Sequence, residues 1–188
     1  MAVDTIDTFL NSSTRDRFRM ALDERLAGEL VAYLGPERLD RYIALAQRVT
    51  RRSGGKHLGS DPPINLVFVP GVMGSLLQSS TLGGVWWIDA RTRGHLNDLR
   101  LSPDGHEDAN RNYRVVPTTT DPVYEPFLAA VLERDDFGHA IFPYDWRKPL
   151  SLSAALLRDQ IVDLYQSNGH QRMHLVAHSM GGWWCAKC

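Results

Sequence analysis

Apolar positions recur at three- and four-residue intervals through the first third of the chain. Phe18, Ala21, Leu22, Leu26, Leu30, Val31 and Leu34 follow the N-cap candidates Ser12, Ser13 and Thr14. The spacing predicts one amphipathic helix stopped by Gly35-Pro36, then a second with Leu39, Tyr42, Ile43, Leu45 and Ala46 on its apolar side. That helix runs out in Arg51, Arg52, Ser53, Gly54 and Gly55, which read as a linker. Residues 1–55 are therefore expected to form a helical N-terminal extension, and residues 56–188 a second domain. From Pro62 the period changes. Ile64-Asn65-Leu66-Val67-Phe68-Val69 is nearly continuous β-branched and aromatic sequence, as befits a strand covered on both faces. Residues 85–88 read as a short strand or a buried excursion, and 89–123 as a long ordered loop with a short strand near 113–116. Helical spacing returns over 124–134, and residues 139–142 read as a strand. Ser151 or Ser153 is expected to cap a helix ended by Gly169, before a last strand over 173–177. Wholly apolar strands alternating with helices predict a parallel α/β sheet.

Composition narrows the partners. The 188 residues carry 21 Lys and Arg against 22 Asp and Glu, a net charge of −1. That balance leaves no footprint for nucleic acid and no polybasic tract for an anionic membrane surface. The longest apolar stretch, 64–77, is broken by Asn65 and Pro70, whereas a membrane-spanning helix needs about 20 apolar residues, so no transmembrane segment is expected. The opening MAVDTIDTFLNSSTRD has neither a basic nor an apolar leader region, and a cytoplasmic location is expected. Cys185 and Cys188, as CAKC, lack a second ligand pair and read as incidental. His57, His95, His106, His139 and His170 show no metal-ligand spacing, so neither a metal nor an organic cofactor is expected.

Ala177-His178-Ser179-Met180-Gly181 directly follows an apolar strand and precedes a helix start. One serine flanked by small residues at −2 and +2 in that context is the pattern of a nucleophile elbow. Small flanks are needed because the serine backbone is strained and side chains there would collide with neighbouring elements. Alanine stands in place of the usual first glycine. The same residues also read as a plain serine-capped turn. An oxyanion hole needs two convergent N–H donors. Met180 follows the serine, and Val72 lies in Pro70-Gly71-Val72-Met73-Gly74-Ser75, the loop after the first strand. No Lys-Ser/Thr pair follows these glycines, which disfavours a phosphate loop, while a simple connecting turn remains the alternative. His178 and His174 share one parity along the last strand, and both are expected beneath the elbow within the core.

In order, VFVPGVMGSLL, VWWIDAR, PYDWRKPL and HLVAHSMGG make the chain similar to the lecithin:cholesterol acyltransferase family of α/β-hydrolases, over residues 62–184. The resemblance implies a partial α/β-hydrolase fold, a parallel-sheet core with flanking helices behind an N-terminal helical segment. It also implies a lipid acyltransferase or lipase-type serine esterase. Ser179 is then the nucleophile, with the Val72 and Met180 N–H groups as the oxyanion hole. Trp146, Asp145 and Arg147 belong to the substrate-facing wall, Asp145 and Arg147 pairing to hold the loop and Trp146 either facing an acyl chain or packing in the core. The partner is a lipid ester or other acyl substrate.

The chain departs from the family in one respect. In α/β-hydrolases the order is serine, acid, histidine, yet no Asp, Glu or His follows Ser179. Truncation, a split enzyme whose complementing chain supplies acid and histidine, and a non-catalytic lipid- or protein-binding remnant all fit, and the WWCAKC end favours truncation. Little turnover is expected from the chain alone, because the oxyanion hole and binding leave only ~10³–10⁴-fold over water.

Overall fold

A computed structural model of the chain describes residues 4–52, 63–87, 90–134 and 137–185. The linker residues Ser53–Gly55, His57, Ile88 and Asp89 of the VWWIDAR motif, and Cys188 lie outside the described residues. Two compact units are present, one of Met1–Pro63 with Pro122–His139 and one of Ile64–Asp121 with Ala140–Cys188. Residues 122–139, which the sequence assigns to the second domain, thus group with the N-terminal helices.

The first unit is helical, with α1 Thr5–Asn11, α2 Thr14–Ala21, α3 Ala27–Leu34, α4 Pro36–Arg52 and α5 Glu125–Leu132. Asp4 and Ser13 cap α1 and α2 by accepting from the Ile6 and Asp16 N–H groups. The single helix expected up to Leu34 is interrupted. Asp23 turns its carboxylate onto the Arg25 N–H and starts a 3-10 turn, Glu24–Leu26, between α2 and α3. A short aspartate bonded to nearby backbone competes with the helical ladder, which periodicity cannot register. Gly35, at φ 81°, ends α3 as expected. Phe9, Phe18 and Tyr42 meet edge to face. Among them lies Arg17, whose guanidinium donates to the Phe9 carbonyl (3.1 Å), the Leu10 carbonyl (2.6 Å) and Glu125 (2.6 Å).

The second unit is α/β. Strands β1 Ile64–Val69, β4 Gly138–Ile141 and β5 His174–Ala177 form a three-stranded parallel sheet in the order β4-β1-β5, with β4 crossing the division between the units. Its central place explains why β1 is apolar but for Asn65. Between β1 and β5 the register pairs Val67 with Leu175 and Val69 with Ala177. Helix α6, Leu150–Ser167, lays Leu157 on Val67, Val69, Phe142 and Tyr144. Neither Ser151 nor Ser153 caps it. Pro149 stands at the N-cap and Ser153 is buried, because the chain enters the helix two residues before Ser151 and four before Ser153.

A second, antiparallel pair, β2 Ser75–Ser79 and β3 Val115–Thr120, encloses Leu77, Trp86 and Val115. Residues 85–86 are a buried excursion, with Val85 bridging Gln78. The segment expected as loop begins with a 3-10 stretch, Ala90–Leu99, where the His95 ring stacks on Trp86 at 4.4 Å.

Candidate active site

The C-terminal ends of parallel strands are where α/β sheets build sites, because each strand there hands over to a loop on the same edge. Here β1 feeds the loop 70–74, β4 feeds 142–149 and β5 feeds Ser179. Since β1 and β5 are hydrogen-bonded neighbours, the loop after one lies beside the turn after the other. The ladder continues one step past β5, where the His178 N–H donates to the Val69 carbonyl at 3.0 Å.

Ser179 has φ 51°, in the left-handed region, a cost of about 1–2 kcal/mol for a residue other than glycine. Helix α7, Met180–Cys185, starts immediately after it. Packing holds the turn in this strained state. A Cβ on Gly181 would stand 2.6 Å from the Pro70 carbonyl oxygen and 3.0 Å from Val69 Cγ1, so α7 presses on the end of β1. A Cβ on Gly71 would meet the Ser179 Cβ at 3.1 Å and the His178 ring at 3.0 Å. Loop 70–74 therefore lies directly against the serine.

That loop is itself fixed. The Gly74 N–H donates to the Gly71 carbonyl at 3.0 Å, closing a turn whose third residue, Met73, has φ 60°. A turn with positive φ at that position is of the kind that ordinarily selects glycine. Val72 and Met73 stand outward, 45% and 47% exposed. Neither the Val72 N–H nor the Met180 N–H has an acceptor among the described residues, and the Ser179 hydroxyl likewise has no hydrogen-bond partner there. Met180 is half-buried against the core around Leu157, and α7 carries Trp183, 80% exposed.

His178 and His174 are exposed rather than buried under the elbow, because β5 is the last strand at that edge of the described sheet and its outer face is uncovered. The His178 ring instead borders Gly71.

The loop after β4 is held by charge and by indole donors. Arg147 forks onto Asp145 at 2.8 and 2.7 Å, reaches Asp108 at 2.9 Å and donates to the Leu99 carbonyl at 2.8 Å. Asp108 also accepts from the Val115 N–H, tying in β3. Burial by itself would lower the Arg147 pKa, but the hydrogen bonds and charges of Asp145 and Asp108 outweigh it and hold the guanidinium above its ordinary value. Asp145 and Arg147 are thus saturated by one another and by backbone. Trp146 is half-buried, packs on Trp87 at 4.6 Å and donates from its indole to the Ser75 carbonyl at 3.1 Å.

Three residues carry more of the site than their sequence context signals. Ser75, fully buried, accepts the Tyr144 N–H on its hydroxyl at 3.0 Å, joining the loops after β1 and β4. Asp108 completes the Arg147 network from a segment that reads as loop. Trp87 donates to the Met73 carbonyl at 3.3 Å. Only the serine of PG-x-x-GS and the second tryptophan of VWWIDAR sit inside quoted motifs.

No protein-family model and no solved structure matches the chain. The uncharacterized protein YJR098C of Saccharomyces cerevisiae is 26% identical over 129 residues, which is 63% of this chain and 19% of that protein. The chain thus matches about a fifth of the length of this relative, whose name assigns no activity. Among the described residues no helix is long and apolar enough to cross a membrane.

Proposed function

We propose that residues 64–185 carry the nucleophile elbow and oxyanion loop of a serine acyl-transfer site of the lecithin:cholesterol acyltransferase type, acting on lipid esters. The observation that carries this reading is the left-handed Ser179, pressed between Gly71 and the Gly181 contact at the carboxyl edge of the parallel sheet. Ser179 Oγ attacks the acyl carbonyl and its proton passes to a base. The carbonyl oxygen becomes an oxyanion, which accepts from the Val72 and Met180 N–H groups. Collapse expels the alcohol, protonated by the same base, and leaves an acyl-serine that water or a second alcohol releases. In the family the base is a histidine oriented by an acid, both later in the chain than the serine, and residues 180–188 contain neither.

The test is a fluorophosphonate probe on the folded chain, with and without added imidazole as a surrogate base, and with Ser179→Ala as control. Slow labelling that imidazole accelerates and Ser179→Ala abolishes is the expected result. A folded chain that stays unlabelled with imidazole, or labels equally in the variant, overturns the reading. The unpartnered Ser179 hydroxyl also fits a second reading, a non-catalytic lipid- or protein-binding module. Saturable binding of lipid vesicles that survives Ser179→Ala, without acyl-serine, supports that alternative.

A further inference from the structure

Two indole N–H groups address two carbonyls of the same short loop. Trp87 Nε1 donates to the Met73 carbonyl at 3.3 Å and Trp146 Nε1 to the Ser75 carbonyl at 3.1 Å. The donors come from different parts of the second unit, one from the segment after β2 and one from the loop after β4, and their rings pack on each other at 4.6 Å. Between the two held carbonyls lies Gly74, whose own carbonyl accepts the Asp121 N–H at 2.9 Å. Before them stands Val72, whose N–H has no acceptor among the described residues, and Met73 itself is in the left-handed region at φ 60°. An exposed turn with a non-glycine residue at positive φ relaxes readily unless something external holds its peptide planes. Nothing in Trp87 or Trp146 is chemically reactive, and both spend their single polar group on this loop.

We infer that Trp87 and Trp146 form an indole clasp that holds the Met73–Gly74 and Ser75–Leu76 peptide planes and, through the Gly74 N–H bond to the Gly71 carbonyl, the Gly71–Val72 plane that carries the Val72 N–H. Both are positioning residues rather than lipid contacts. The catalytic consequence rests on Ser179 being the nucleophile, whereas the clasp itself does not.

Trp87→Phe and Trp146→Phe keep an aromatic ring and remove the donor. Replacement of both by 3-benzothienylalanine, an indole isostere with sulfur in place of N–H, leaves ring size unchanged should the phenylalanine variants fail to fold. Amide hydrogen exchange on the full chain is expected to rise about 10-fold at Gly74, whose N–H closes the turn onto the Gly71 carbonyl, in each variant, and to stay unchanged over β1 and α6. In imidazole-assisted phosphonylation the maximal rate at Ser179 falls about 10-fold, while the half-saturating probe concentration stays constant, the pattern of a weakened oxyanion donor. Unchanged exchange at Gly74 in the doubly substituted chain overturns the clasp. So does exchange that rises equally across β1 and α6, which would make the indoles ordinary packing. If the parent chain never reacts at Ser179, the acyl-transfer reading falls, and the exchange experiment alone still decides the clasp.

Discussion

Two adjacent glycines after Ser179 look alike on paper and differ in space. A methyl at Gly181 would run into the Pro70 carbonyl at 2.6 Å, backbone that cannot swing aside, whereas a methyl at Gly182 meets nothing within 4 Å. Gly181→Ala is therefore expected to destabilise the α/β unit by about 1–3 kcal/mol, the usual cost of forcing an atom into a filled space. Gly182→Ala, inside α7, is expected to stabilise it by up to about 1 kcal/mol, because alanine loses less backbone freedom than glycine in a helix. Urea unfolding of the two variants gives both values, and equal effects would mean that α7 does not rest on β1. Spacing marks a small residue at +2 from the serine, which is Gly181, and the approach of α7 to the end of β1 supplies the contact that excludes a side chain there.

At the scale of elements, Arg147 fastens loop to strand. Its guanidinium neutralises Asp145 and Asp108 in a site where all three side chains are nine-tenths buried or nearly so. Removing it leaves two carboxylates without their cation. Arg147→Leu is expected to cost about 3–5 kcal/mol, the range found when one partner of a buried pair is deleted, with unfolding followed by urea and circular dichroism. A loss below about 1 kcal/mol would show that water reaches the carboxylates. The Asp145–Arg147 spacing lies plainly in the PYDWR motif. Asp108 was not legible there, because its partner sits 39 residues away and a lone aspartate in polar sequence carries no periodicity.

At the scale of the whole molecule, a buried histidine ties stability to pH. His139 lies on β4, where desolvation by burial, with the Arg15 charge as a second cause, holds its pKa below the ordinary value of about 6.5. An imidazole that stays neutral in the folded state but protonates in the unfolded chain stabilises fully above about pH 6.5. Stability is then lost as the pH falls below that value toward the folded pKa. The fall in unfolding free energy between pH 7.5 and 5 should be smaller in His139→Gln than in the parent chain. A parallel fall in both would remove His139 as the cause.

Periodicity and composition were enough to place the central strand β1, the helices α4 and α6 and the strand-serine-helix junction at Ser179. Those features depend on local backbone preference and on which side chains must leave water, and both are written along the chain. They were also enough to give a mixed α/β architecture, with a parallel sheet in the second unit. What periodicity could not decide were the contacts between segments distant in the chain. These include the grouping of α5 with the N-terminal helices, the exposure of His174 and His178, the Ser75 joint and the two indole bonds to loop 72–75. Each is a matter of which surfaces meet after folding, fixed by packing and by hydrogen-bond partners 14 to 71 residues apart, and only the tertiary structure brings them together.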